Sequence, residues 1–141
     1  MEQYLEFASR HVFLVGGFVI VAVLLAYSYI APRFRPWKTI SPLDATQLIN
    51  REDALVLDVR EDNEYQQGHI VNSLHIPLSL IDKRMGELEK HRSRPIIVGC
   101  RTGSRSGHVC GMLSKNGFEK VFNLGGGIMA WEGANLPLSK R

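Results

Sequence analysis

From Pro95 to Cys110 the chain reads PIIVGCRTGSRSGHVC, an apolar strand that runs straight into a loop able to do nucleophilic chemistry. Cys100 stands at the junction, and Arg101 and Arg105 fall within the next five positions. A thiol attacks well only as the thiolate. Successive backbone N–H groups in a loop that opens a helix form a concavity for an anion, and Gly103 permits the curl this needs. The amides from Arg101 through Thr102, Gly103, Ser104 and Arg105 to Ser106 are therefore expected to cradle Cys100, with both guanidinium groups adding positive charge. That field predicts a pKa drawn from ~8.5 into the ~3.5–7.5 range of thiols at helix N-termini beside cations. A fall of ~2 pH units favours the thiolate by ~2.7 kcal/mol. A thiolate in an anion cradle suits attack on an anionic electrophile.

Such a loop needs a scaffold that delivers a strand end and a helix start to one place. ALVLDV (54–59) and PIIVG (95–99) are near-continuous apolar runs, as strands buried on both faces require. SLHIP (73–77) and KVFNL (120–124) read as further strands. Between them lie helical patterns: one starting at Ser41 as N-cap with Pro42 and Asp44 in its first turn, a short one in EDNEYQQGH ended by Gly68, and a longer one with Leu80, Ile81, Met85 and Leu88 on one face. Two more follow, one carrying Val109, Met112 and Leu113 and a terminal one holding Trp131. Strands alternating with helices predict an α/β fold, a parallel sheet with helices on both faces. In such sheets ligands bind beyond the carboxyl ends of the strands, where Cys100 lies.

Ahead of this domain, residues 12–31 read VFLVGGFVIVAVLLAYSYIA without a charge. About 20 helical residues cross a ~30 Å hydrocarbon core. A dozen Val, Leu, Ile and Phe residues contribute about −5 kcal/mol of insertion free energy. The expected organisation is a short flank (1–11), a transmembrane helix (12–31) contacting the lipid bilayer, a basic linker (32–38) and a soluble domain (39–141). Tyr27, Tyr29 and Trp37 are expected at the membrane interface. Arg33, Arg35 and Lys38 follow the span against Arg10 before it, so the positive-inside tendency places the C-terminal domain in the cytoplasm. With Lys and Arg not interleaved with aromatics in the remainder, nucleic-acid binding is not expected.

The other chemically capable residues read as structural. Cys110 falls on the apolar side of its helix, too far from Cys100 for a disulfide. His69, His75, His91 and His108 lack paired metal-ligand spacing, and no metal or organic cofactor is expected. Asp58 and Arg60 end the first buried strand and Glu64 lies one helical turn beyond, so an Arg60–Glu64 pair is expected to fix this loop. Gly125 to Gly127 are expected to form a tight turn into the helix of Trp131.

ISPLDA, VLDVREDNEYQQGHI, NSLHIPLS, IIVGCRTGSRS, VFNLGGGIMAW and a final LP, all in this order, resemble the rhodanese (thiosulfate sulfurtransferase) domain from about Thr39 to Leu138. With its apolar N-terminal segment the chain is similar to membrane-anchored bacterial members of that family. The resemblance implies a rhodanese-like fold and a persulfide on Cys100, which takes sulfane sulfur from a small anionic donor and hands it to a thiol or cyanide. It implies further that Arg105 orients the donor, that the 101–106 amides hold the persulfide, and that the chain is a single-pass protein of the bacterial inner membrane.

Two rivals stand beside this reading. Cysteine phosphatases need C-x5-R to encircle a tetrahedral phosphate, whereas here Arg105 follows Cys100 after four residues and Ser106 holds the fifth place. The alternative in another class is a membrane-tethered binding or regulatory module that engages other inner-membrane proteins.

Overall fold

The computed structural model describes residues 1–140, which divide into two compact units meeting between Arg35 and Pro36. In the first unit, helix α1 (Glu2–Arg10) occupies the stretch read only as a flank and carries a Glu6–Arg10 ion pair at 2.9 Å. Helix α2 (Val12–Ile30) follows, ending in a 3-10 turn (Ala31–Phe34). No residue of α2 is buried, and the Val12–Phe34 helix, whose most apolar stretch has a mean hydropathy of 2.3, is long and apolar enough to cross a membrane. The Arg33 guanidinium lies 5.3 Å from the Tyr29 ring centroid, a cation–π contact just past the apolar stretch.

The second unit is built on five parallel strands: β1 (Lys38–Ile40), β2 (Leu55–Asp58), β3 (Leu74–His75), β4 (Ile96–Gly99) and β5 (Val121–Leu124). Their order is β1-β5-β4-β2-β3, so β4 and β2 lie centrally. The side-chain alternation of strands divides the core accordingly. Leu55, Leu57, Ile96, Val98 and Val121 face one side, where Ile81 of helix α5 (Ile81–Arg84) and Val109, Cys110 and Leu113 of helix α6 (Ser104–Lys115) cover them. Val56, Ile97 and Leu124 face the other, against Ala45 of helix α3 (Pro42–Glu52) and Ile128 and Trp131 of helix α7 (Gly127–Gly133). Leu57 and Ile97 have no exposed surface, and burying each contributes roughly 1.5–3 kcal/mol. This is the expected α/β sheet with helices on both faces. The Ser41 hydroxyl caps α3 by accepting from the Asp44 N–H at 3.2 Å.

Three expectations need correction. The stretch read as a linker (32–38) yields its last residues to the second unit: Lys38–Ile40 form β1, paired with Phe122–Leu124. Trp37, expected at a membrane interface, packs against the α6-side core. The periodic segment around residues 80–88 is not one longer helix but a 3-10 turn (Leu78–Leu80), α5 and a second 3-10 stretch (Met85–His91). A threefold repeat keeps Met85 and Leu88 on one side, and Leu88 is fully buried.

Candidate active site

Cys100 follows β4 directly, and the strand's alternation turns it to the α6 face, where it joins Val98, Val109 and Cys110 in the core with no exposed surface. The chain curls through Arg101 and Thr102 to Gly103, whose φ of +102° is open to glycine without strain and makes it the N-cap of α6. This curl aims the Gly103 N–H at Cys100 Sγ, 3.0 Å away. The Ser106 hydroxyl lies 3.3 Å from the same sulfur, one turn into the helix.

Burial opposes ionisation of Cys100, but the Ser106 hydroxyl and the amides of Ser106, Gly103 and Thr102 outweigh it, and the thiol pKa is lowered. The expected direction holds, with a different cause. Arg105 is committed elsewhere: its guanidinium makes two hydrogen bonds to the Glu64 carboxylate, 2.8 and 2.9 Å. Arg101 and Thr102 are exposed on the loop, and Ser104 is exposed at the start of α6. Hydrogen-bond donors lead in stabilising the thiolate, and the Arg105 charge, though paired with Glu64, adds to them electrostatically. Cys110 is the opposite case, since burial, reinforced by the Cys100 charge and offset only by its own backbone amide, pushes its thiol up to about 12.

Glu64 belongs to helix α4 (Asp62–Gln66) and also accepts from the Glu61 N–H at 2.9 Å. The Arg105 hydrogen bonds, opposed by partial burial and helped by the Glu61 amide, bring its carboxyl from 4.5 down to about 2. The expected Arg60–Glu64 pair does not form. Arg60 turns inward instead, 2.8 Å from the buried Asp58 carboxylate, and donates to the Gly68 carbonyl at 2.8 Å. The reason is reach: Asp58 lies two residues back on the same strand end and needs a partner in the dry interior. The two supports therefore act separately. Asp58 and Arg60 fix the β2 loop, while Glu64 joins that loop to the start of α6. A hollow of about 160 Å³, lined in part by Glu64, Gln67, Arg101, Met129 and Glu132, opens beside the cysteine loop.

A profile of the rhodanese-like domain matches residues 41–134. The chain belongs to the rhodanese family. It is 34% identical over 139 residues to the Escherichia coli protein YibN, covering 98% of this chain and 97% of that one. A thiosulfate sulfurtransferase, GlpE of Coxiella burnetii, is 33% identical over 103 residues, 73% of this chain and 94% of its own. The crystal structure of a rhodanese-related protein from Thermoplasma volcanium superposes with a TM-score of 0.68 at 32% identity, covering 74% of this chain and 99% of that one.

Two further features complete this rhodanese site. Asn123, in β5 beside Val98 of β4, faces the same side of the sheet as Cys100. It accepts from the Ser106 hydroxyl at 2.5 Å and donates to the Gly103 carbonyl at 3.1 Å. Its sequence signal was a lone polar residue interrupting an apolar strand. The glycine turn is the second feature. At Gly127, φ is +61°, and a Cβ there would run into the Cys100 and Arg101 carbonyls. That close approach lets the Ile128 N–H reach the Cys100 carbonyl at 2.8 Å and the Met129 N–H reach the Arg101 carbonyl at 3.2 Å. The tight turn expected at Gly125–Gly127 thus also holds the cysteine loop from behind.

Proposed function

We propose that this rhodanese is a membrane-anchored sulfurtransferase that carries sulfane sulfur on Cys100. The observation that carries the reading is the set of donors converging on one sulfur, above all the Gly103 N–H at 3.0 Å. The Cys100 thiolate attacks the outer sulfur of a donor such as thiosulfate. A Cys100 S–S bond forms, the donor's S–S bond breaks, and sulfite leaves with the electron pair. An acceptor thiolate then attacks the outer sulfur, giving the acceptor persulfide and restoring the Cys100 thiolate; cyanide in that role gives thiocyanate. Arg105 orients the anionic donor by sharing its guanidinium with Glu64, and the amides of residues 101–106 hold the terminal sulfur.

The test is the intact mass of the chain after incubation with thiosulfate. A gain of one sulfur atom, reversed by cyanide and absent in Cys100→Ser, is expected. No gain with any sulfane donor, in folded protein with reduced Cys100, overturns the reading. It would favour the anchored binding module, which one observation supports: Cys100 has no exposed surface, so a donor must move the rim to reach it.

Helix α2 serves in this reading as the anchor in a bacterial inner membrane. Arg33, Arg35 and Lys38 on its C-terminal side support an orientation with the catalytic unit in the cytoplasm. Protease added to intact spheroplasts is then expected to spare that unit until the cells are lysed.

A further inference from the structure

Four hydrogen bonds close a ring around the reactive sulfur. Gly103 N–H points to Cys100 Sγ at 3.0 Å, Sγ lies 3.3 Å from Ser106 Oγ, Ser106 O–H points to Asn123 Oδ1 at 2.5 Å, and Asn123 Nδ2–H points to the Gly103 carbonyl at 3.1 Å. The Asn123 amide has no freedom in this ring. A backbone carbonyl only accepts, so the NH₂ group must face Gly103 and Oδ1 must face Ser106. A hydroxyl has one proton, and Ser106 gives it to Oδ1. What Ser106 then presents to Cys100 is a lone pair, which a neutral thiol meets by donating its S–H. In the thiol state every donor in the ring points the same way round.

Ionisation breaks that order. The thiolate can only accept, and a Ser106 proton left on Asn123 would leave an oxygen lone pair facing the negative sulfur. We propose that Asn123 is a positioning residue that competes with the Cys100 thiolate for the single Ser106 proton, so that forming the nucleophile requires this hydroxyl to turn from Oδ1 to Sγ. Asn123 thereby holds back a donor that the thiolate needs. When the sulfur carries a second sulfur atom and loses its charge, the proton returns to Oδ1. The other charges around the ring do not exchange a proton with it: Arg105, paired with Glu64, attracts the Cys100 charge in every variant below, Asp58 is paired with Arg60, Arg101 is exposed, and the Cys110 thiol is neutral. The inference rests on Cys100 being the reactive group, and its test needs no sulfur donor, so sulfur loading of the unaltered chain checks the transfer reading separately.

The experiment is the rate of Cys100 alkylation by iodoacetamide against pH, in the full chain in detergent micelles, with the modified residue located by peptide mass. A hydrogen bond to a charged group contributes roughly 1.5–3 kcal/mol, or about tenfold or more in the ionisation equilibrium. Ser106→Ala is expected to move the midpoint of the profile upward by about one pH unit. Asn123→Leu, which frees the hydroxyl, is expected to move it downward, and Asn123→Asp upward. In the Ser106→Ala background, Asn123→Leu should move the midpoint much less, because the competition for the hydroxyl proton is gone and only the Asn123–Gly103 bond is lost. An equal shift from Asn123→Leu with and without Ser106 overturns the proposal. So does a downward shift in Ser106→Ala, which would mean that the hydroxyl never turns to the thiolate; this single variant keeps the Asn123–Gly103 bond and decides the matter even if Asn123→Leu does not fold.

Discussion

Replacing Glu64 by Gln keeps an acceptor for the Glu61 N–H but removes the charge that Arg105 grips with two hydrogen bonds. The folded carboxyl titrates at about 2 in place of 4.5. At ~1.4 kcal/mol per pH unit that displacement corresponds to about 3 kcal/mol. The pair is only partly buried, with side-chain exposures of 31% for Arg105 and 23% for Glu64, so water screens it and about 2 kcal/mol is the working expectation. Because the folded pKa is depressed, this contribution is fully present above pH ~4.5 and disappears as the pH falls towards about 2. The assay is urea unfolding of the full chain in detergent micelles, followed by tryptophan fluorescence. Both tryptophans, Trp37 and Trp131, lie in the second compact unit, so the signal reports that unit. Glu64→Gln should be less stable than the unaltered chain by about 2 kcal/mol at pH 7, and the gap should close between pH 4.5 and about 2. A gap that stays constant across this window, or none at pH 7, would refute the linkage between α4 and the cysteine loop.

Other perturbations test neighbouring parts of the site. Asp58→Ala leaves the Arg60 guanidinium buried without its carboxylate and should lower unfolding free energy by about 3–5 kcal/mol, measured in the same urea assay. Gly127→Ala places a Cβ against the Cys100 and Arg101 carbonyls in a left-handed conformation, at about 1–2 kcal/mol for the conformation alone; sulfur loading by mass should slow at least in proportion to the displaced loop. Cys110→Ala should load sulfur like the unaltered chain. Its native thiol titrates at about 12, so alkylation at pH 8 should map to Cys100 alone.

The strand–loop–helix that presents Cys100 was legible because each of its parts has a local sequence cause: an apolar run for β4, a glycine where φ must be positive, and a helical stripe for α6. The same holds for α3, with its Ser41 cap and Pro42. What stayed hidden depends on partners far along the chain. Glu64 and Arg105 are 41 residues apart, Ser106 and Asn123 are 17 apart, and neither spacing has a periodicity that marks it. Arg60 shows a different limit: helical spacing suggested Glu64, one turn on, whereas burial required Asp58, two residues back. The edge strand β1 was missed for a related reason. Three residues are too few for an alternating pattern, and only pairing with Phe122–Leu124 makes them a strand.

The tethers of the cysteine loop have a consequence for how the protein is made. Asn123, Ile128 and Met129, which hold the loop from the side and from behind, are made more than twenty residues after Cys100, and β1 must wait for β5, some eighty positions later, before it has a neighbour. Pairings of such long sequence separation form late, after the entropy of closing the chain has been met. The apolar helix α2, by contrast, needs only local hydrogen bonds and precedes every strand of the sheet. A chain cut short before Gly127 would still display Cys100 and its arginines, yet without the backing that shapes the cradle. The cradle of Cys100 is thus complete only after Ile128 and Met129 have been made, and a shorter nascent chain carries the cysteine without that support.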